Sequence, residues 1–102
     1  MIAMLNTDLK QKIVSAVQSH LSLPHYKIFL FGSRARGRTV PQSDIDIGIE
    51  APQEIPAGDL LNIQEAMSDL PIMQKVDVVD FSRVDHSFRS IAQKNIEVLH
   101  EQ

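Results

Sequence analysis

A chain of 102 residues with 43% apolar content can build one packed core but not two, so residues 1–102 are expected to form a single domain. Without cysteine there is no disulfide framework and no thiolate metal site, which suits a reducing cytoplasm. The net charge is −3, and a domain that held nucleic acid mainly by charge would be basic, so no strong nucleic-acid binding is expected. No apolar run approaches ~18 residues, so no membrane-spanning helix is expected. The opening MIAMLNTDLKQK has no basic segment ahead of an apolar core, so no signal peptide is expected either.

The first element is a helix over residues 6–21. Leu9, Ile13, Val17 and Leu21 recur every four residues as one apolar stripe, and Asn6 or Thr7 can cap the start. Pro24 ends it. Residues 26–31, YKIFLF, read as a compact apolar strand. Gly32-Ser33 closes that strand with a tight turn. Ser33 is a suitable N-cap for a short helix over 34–38, and a helix start presents free amides to a phosphate. Arg34, Arg36 and Arg38 crowd into the same turn, which points to one local anion site. Pro41 and Ser43 mark a loop.

Residues 44–50, DIDIGIE, then alternate as a strand. Asp44 and Asp46 share one face at roughly 6.6 Å spacing, with Ile45, Ile47 and Ile49 on the other. Two like charges that close raise each other's pKa unless a cation answers them. Residues 51–57, with Pro52 and Pro56, read as a surface loop. A second helix runs from about Asp59, a plausible N-cap, to Leu70, burying Leu60, Ile63, Met67 and Leu70 before Pro71 stops it. Residues 75–81, KVDVVDF, read as a third strand. The tail, 87–102, reads as a helix with Phe88, Ile91, Ile96 and Leu99 at imperfect spacing. The order α, β, short α, β, α, β, α implies an α/β (α+β) fold, a small mixed β-sheet flanked by helices.

The third strand offers a further acid. Asp77 and Asp80 fall on opposite faces, so only one can join Asp44 and Asp46. Asp77, between Val76 and Val78, is favoured, and Asp80 at the strand end is left to solvent or a helix cap. Three carboxylates converging on one edge suit hard cations such as Mg²⁺ together with phosphate oxygens. Two such ions would activate an attacking oxygen and stabilise a leaving pyrophosphate.

Gly32-Ser33, then Arg34, Arg36 and Gly37, then Ser43-Asp44-Ile45-Asp46, then Asp77 between apolar neighbours, together resemble the minimal nucleotidyltransferases of the DNA polymerase β-like superfamily. The resemblance covers roughly residues 5–100. It implies a mixed sheet flanked by helices and transfer of a nucleoside monophosphate from an NTP, often ATP, to an acceptor, with two Mg²⁺ ions. By match to the motif, Gly32 and Ser33 hold the triphosphate. Asp44 and Asp46 bind both metals, and Asp77 completes one metal site and helps deprotonate the acceptor hydroxyl. Arg34 and Arg36 contact the triphosphate or a partner. In the minimal family a separate helical HEPN-type protein often serves as partner in a toxin–antitoxin pair, so a hetero-oligomer is expected beside a possible homo-oligomer. The nucleotidyltransferase member is then an antitoxin that adenylylates its partner or, alternatively, a non-catalytic binding protein that masks it.

A rival reading is a P-loop, since Gly32, Gly37, Arg38 and Thr39 approach its spacing. Arg38 stands where a Lys is needed, Pro41 interrupts the helix that should follow, and the Asp44/Asp46 pair is left unexplained. His20, His25, His86 and His100 show no ligand spacing and read as surface or helix-end residues. The methionines read as core filler or termini.

Overall fold

The structure is a computed structural model that describes residues 7–32, 44–72, 74–92 and 96–102. Its elements are α1 (Thr7–His20), β1 (Lys27–Phe31), β2 (Ile45–Glu50), α2 (Ala57–Ser68), β3 (Val76–Asp80), α3 (His86–Ala92) and β4 (Glu97–Glu101). The strands form one sheet in the order β3-β2-β1-β4. β1 pairs antiparallel with both β2 and β4, and β2 pairs parallel with β3. The crossover from β2 to β3 is made by α2.

The two faces of the sheet are dressed differently, as a period of two requires. On one face Ile28, Leu30, Ile45, Ile47, Ile49 and Val78 meet Ile13 and Val17 of α1 and Ile63 and Met67 of α2 in the main core. The helical stripe of α1 thus lies where its spacing put it, and the three isoleucines of β2 are fully buried. On the other face Phe29, Phe31 and Phe81 form a second cluster, with Phe29 and Phe81 edge to face at 4.9 Å between ring centroids. Gly48 sits under these rings. A Cβ there would lie 2.4 Å from Phe29 Cζ and 2.7 Å from Phe81 Cε1, so the absence of a side chain lets the rings close on the sheet.

Three sequence expectations are corrected. The tail is not one helix. It divides into α3, started by Asp85 whose Oδ1 accepts from Phe88 N–H at 2.8 Å, and β4, which pairs with β1. The imperfect apolar spacing of the tail reflects a change from a helical to a strand period. Asp59 is not the cap of α2. The helix begins earlier, at Ala57 after Pro56, and no side chain caps it. The Asp59 carboxylate instead accepts from the Ser22 N–H at 2.9 Å and hydroxyl at 2.7 Å, joining α2 to the segment after α1. Those bonds hold its pKa below the usual value.

Asp80, expected at solvent or on a cap, is buried. Its Oδ2 accepts from Ile55 N–H at 2.9 Å, its Oδ1 accepts from Ser82 N–H and Oγ, and Arg83 lies at 3.2 Å. A buried carboxylate needs such partners. These tie the loop after β2 to the end of β3. The short helix expected over 34–38 lies outside the described residues.

Candidate active site

The site is built on the phenylalanine face, at the end where β1 finishes and β2 begins. Phe31 is the register partner of Asp46 across the antiparallel pair, and Asp46 is the register partner of Asp77 across the parallel one. Register partners put side chains on the same face at neighbouring positions, so Asp46 and Asp77 stand side by side. Asp44, two residues earlier on the same strand line, is exposed just before β2.

Gly32 follows Phe31 and has φ 79°, in the left-handed region that favours glycine. A Cβ at Gly32 would lie 2.4 Å from Asp46 Oδ2. The turn therefore brings bare backbone against the Asp46 carboxylate, and both conformation and space require glycine there.

Asp46 is half-buried and its pKa is raised, first by burial and then by the charges of Asp77 and Asp44. Phe31 supplies part of the apolar setting, and Phe88 of α3 packs on Phe31 at 6.2 Å and on Phe81 at 5.8 Å. This aromatic wall was not foreseen, although Phe29, Phe31 and Phe81 carried the signal in their alternation within two predicted strands. Lys75 was also overlooked. Its Nζ lies 3.5 Å from Asp77 Oδ1, and the two-residue separation on one strand face is the sequence trace of that pair. Both partners are well exposed, so the pair is a weak tether.

Of the seven residues singled out from sequence, the structure brings Gly32, Asp46 and Asp77 together and places Asp44 at their edge. Ser33, Arg34 and Arg36 lie outside the described residues, as do Gly37 and Arg38. Among the described residues no three His, Asp or Glu side chains already gather around a point where a metal would sit. The donor set nevertheless suits a hard divalent cation in kind. Its donors are carboxylate oxygens on one face, and the pKa of Asp46 is raised by burial and then by acidic neighbours that a cation would answer.

The model of the family "Polymerase beta, Nucleotidyltransferase" matches residues 11–102. The chain belongs to the polymerase β nucleotidyltransferase family. Among curated relatives, the Haemophilus influenzae protein named Probable protein adenylyltransferase MntA is 34% identical over 98 residues, covering 92% of this chain and 84% of that one. Solved structures that share the nucleotidyltransferase fold include two toxin–antitoxin complexes. A toxin–antitoxin complex with AMP-PNP superposes with a TM-score of 0.74 at 23% identity, over 91% of this chain and 73% of that one. The MNT antitoxin complex with tri-AMPylated HEPN toxin from Shewanella oneidensis gives 0.66 at 22% identity, over 91% and 70%. The mixed sheet with Asp46 beside Asp77 is thus a nucleotidyltransferase sheet. Among the described residues no helix is long and apolar enough to cross a membrane.

Proposed function

We propose that this nucleotidyltransferase is a Mg²⁺-dependent protein adenylyltransferase that moves AMP from ATP to a hydroxyl on a HEPN-type partner and serves as that partner's antitoxin. The observation that carries the reading is the meeting of Gly32, Asp46 and Asp77 on one face of three adjacent strands. The adenylyltransferase relative and the toxin–antitoxin complexes of the same fold support the choice of acceptor and role. A chain without cysteine is at home in the cytoplasm, where ATP is held.

In this reading Gly32 and Ser33 hold the triphosphate, with Arg34 and Arg36 as its cationic contacts. Two Mg²⁺ ions on Asp44, Asp46 and Asp77 would supply charge neutralisation for the triphosphate and the departing pyrophosphate. The acceptor oxygen bonds to the α-phosphorus of ATP, and the bond from that phosphorus to the bridging oxygen of the β-phosphate breaks. Pyrophosphate leaves with the electron pair, and the hydroxyl proton passes to Asp77. The backbone at Gly32 lets a phosphate approach closely, and the Phe31 side limits water at Asp46. Asp77 must leave Lys75 to serve, which an exposed pair permits.

That Lys75–Asp77 pair also motivates a second reading, in which the chain masks its partner without modifying it. The test is to incubate the chain with α-labelled ATP, Mg²⁺ and the product of the adjacent gene. The parent is expected to label that product, and Asp44→Asn with Asp46→Asn to abolish labelling. Label retained by the double variant would overturn the catalytic assignment. Labelling lost with inhibition of the partner unchanged in cells would favour masking.

A further inference from the structure

The sheet ends on one side at β3, and among the described residues no strand pairs with its outer edge. Ile45 N–H donates to Lys75 O at 2.8 Å, and Phe81 N–H donates to Ile49 O at 2.9 Å. Odd-numbered residues of β3 therefore turn their backbone groups toward β2, and the alternating residues Val76 and Val78 turn theirs outward. Among the described residues none bonds to those outward groups. An unpaired edge of this kind is a template for another strand.

A groove of about 550 Å³ runs between the β3 edge and α2. Met67, Leu70 and Ile72 give it an apolar lining, and Gln64 and Ser68 of α2 give it a neutral polar rim. Asp77 lines the same groove. The groove and the candidate active site therefore border the same stretch of β3, the groove on the α2 face and the Asp77 carboxylate beside Asp46 on the other. The other sheet edge, β4, has a groove of about 570 Å³ against α1, but β1 and β2 stand between it and Asp77.

We propose that the acceptor enters as an extended polypeptide segment that pairs with the free edge of β3, its hydroxyl-bearing residue level with Asp77. This rests on the transfer reaction proposed above and assigns how its acceptor is held. A strand laid beside β3 sits ~4.8 Å away, and every second side chain of it projects on the face that carries Asp46 and Asp77. A hydroxyl residue on that face meets the general base. Its immediate neighbours project to the opposite face, into the groove, over Met67 and Leu70. Main-chain bonds to Val76 and Val78 supply affinity, and the groove supplies sequence preference. The acceptor segment therefore carries Tyr, Ser or Thr between two apolar residues, and contains no proline where its amide must meet β3.

The full chain is given α-labelled ATP, Mg²⁺ and a library of seven-residue peptides with a central Tyr, Ser or Thr and randomised flanks. Labelled peptides are expected to be enriched in apolar residues at both positions next to the modified one. For a selected peptide, N-methylation of the amides that face β3 should reduce labelling at least tenfold, and methylation of the alternate amides should not. Gln64→Trp, which fills the groove from the exposed side of α2, should reduce labelling at least tenfold with the ATP Kd within twofold of the parent. Ser68→Trp serves as a second filling variant should the first misfold. No labelled peptide from a parent that binds Mg·ATP, no flanking preference, methylation effects independent of position, or unchanged labelling by a folded filling variant would each overturn the proposal. Failure of the parent to bind Mg·ATP by calorimetry would instead remove the transfer reading, and the proposal with it.

Discussion

Gly32 and Asp46 are a matched pair, and each can be tested by one small change. Gly32→Ala meets two obstacles at once. The left-handed conformation costs a side-chain-bearing residue about 1–2 kcal/mol. The new methyl would also stand 2.4 Å from Asp46 Oδ2, which forces the carboxylate or the turn to move. Stability measured in urea should fall by about 1–3 kcal/mol, and transfer should fall about 100-fold, because a shift of 1 Å at a reacting site costs that much. Full transfer by a stable Gly32→Ala would show that the close approach is not used.

Asp46 gives a pH-dependent prediction. Burial, then Asp77, then Asp44 raise its pKa above the ordinary 3.8, so the folded metal-free chain holds this proton more tightly than the unfolded one. The resulting stability is fully present below about pH 3.8 and is lost as pH rises through the raised value. Asp46→Asn escapes this loss. Without metal its melting temperature should gain on the parent as pH rises and stay above it at pH 7. A parent that melts higher than the variant at pH 7 without metal would refute the burial and charge argument.

At the scale of elements, legibility followed the length and clarity of each period. The i, i+4 stripe of α1 and the strict alternation of β2 are strong periodic signals, and both elements formed with the expected faces. β4 was missed because EVLHE has only two apolar residues, side by side, and its strand character comes from the open edge of β1 rather than from its own pattern. Strand direction was illegible for a related reason, since it depends on where α2 crosses rather than on any residue within a strand. In the site, the acids could be read because carboxylates on a strand of isoleucines have few structural excuses. Lys75 and the aromatic wall could not be weighed, because their meaning depends on which strands are neighbours.

The misjudged Asp80 shows the same limit. Its partners lie in the loop after β2, and no local pattern announces a carboxylate that bridges two elements. Asp80→Ala would leave the buried Ile55 N–H without its acceptor and should cost about 3 kcal/mol in urea denaturation. Asp80→Asn, which keeps one acceptor oxygen, should cost less. Equal stability of parent and Asp80→Ala would mean that the loop is held by its apolar contacts alone.

For the whole molecule, ligand binding and folding are one equilibrium. Mg·ATP at about 100 times its Kd adds ~2.7 kcal/mol to a chain that binds it only when folded, a rise of roughly 10–20 °C in melting temperature for a domain of this size. The doubly substituted Asp44→Asn, Asp46→Asn chain should melt at or above the parent without ligand and below it with Mg·ATP. The crossing of the two orders is the diagnostic result. A ligand-induced rise of equal size in both proteins would overturn the proposed role of these acids in holding Mg·ATP.

The sheet order also has a consequence in time. β1 lies between β2 and β4, so half of its hydrogen-bonding edge is reserved for a strand synthesised long after it, the latest in sequence of the four described. Between the end of β1 at Phe31 and the start of β4 at Glu97 the ribosome must add about 66 residues, which at 5–20 residues per second takes roughly 3–13 s. Once β2 has been made, KIFLF can zip to it on one side only, and its other side offers bare amides and carbonyls beside two phenylalanines. A nascent chain is therefore most vulnerable to pairing with its neighbours on a polysome, and it is the arrival of Glu97–Glu101, rather than completion of the carboxylate site, that ends the exposure.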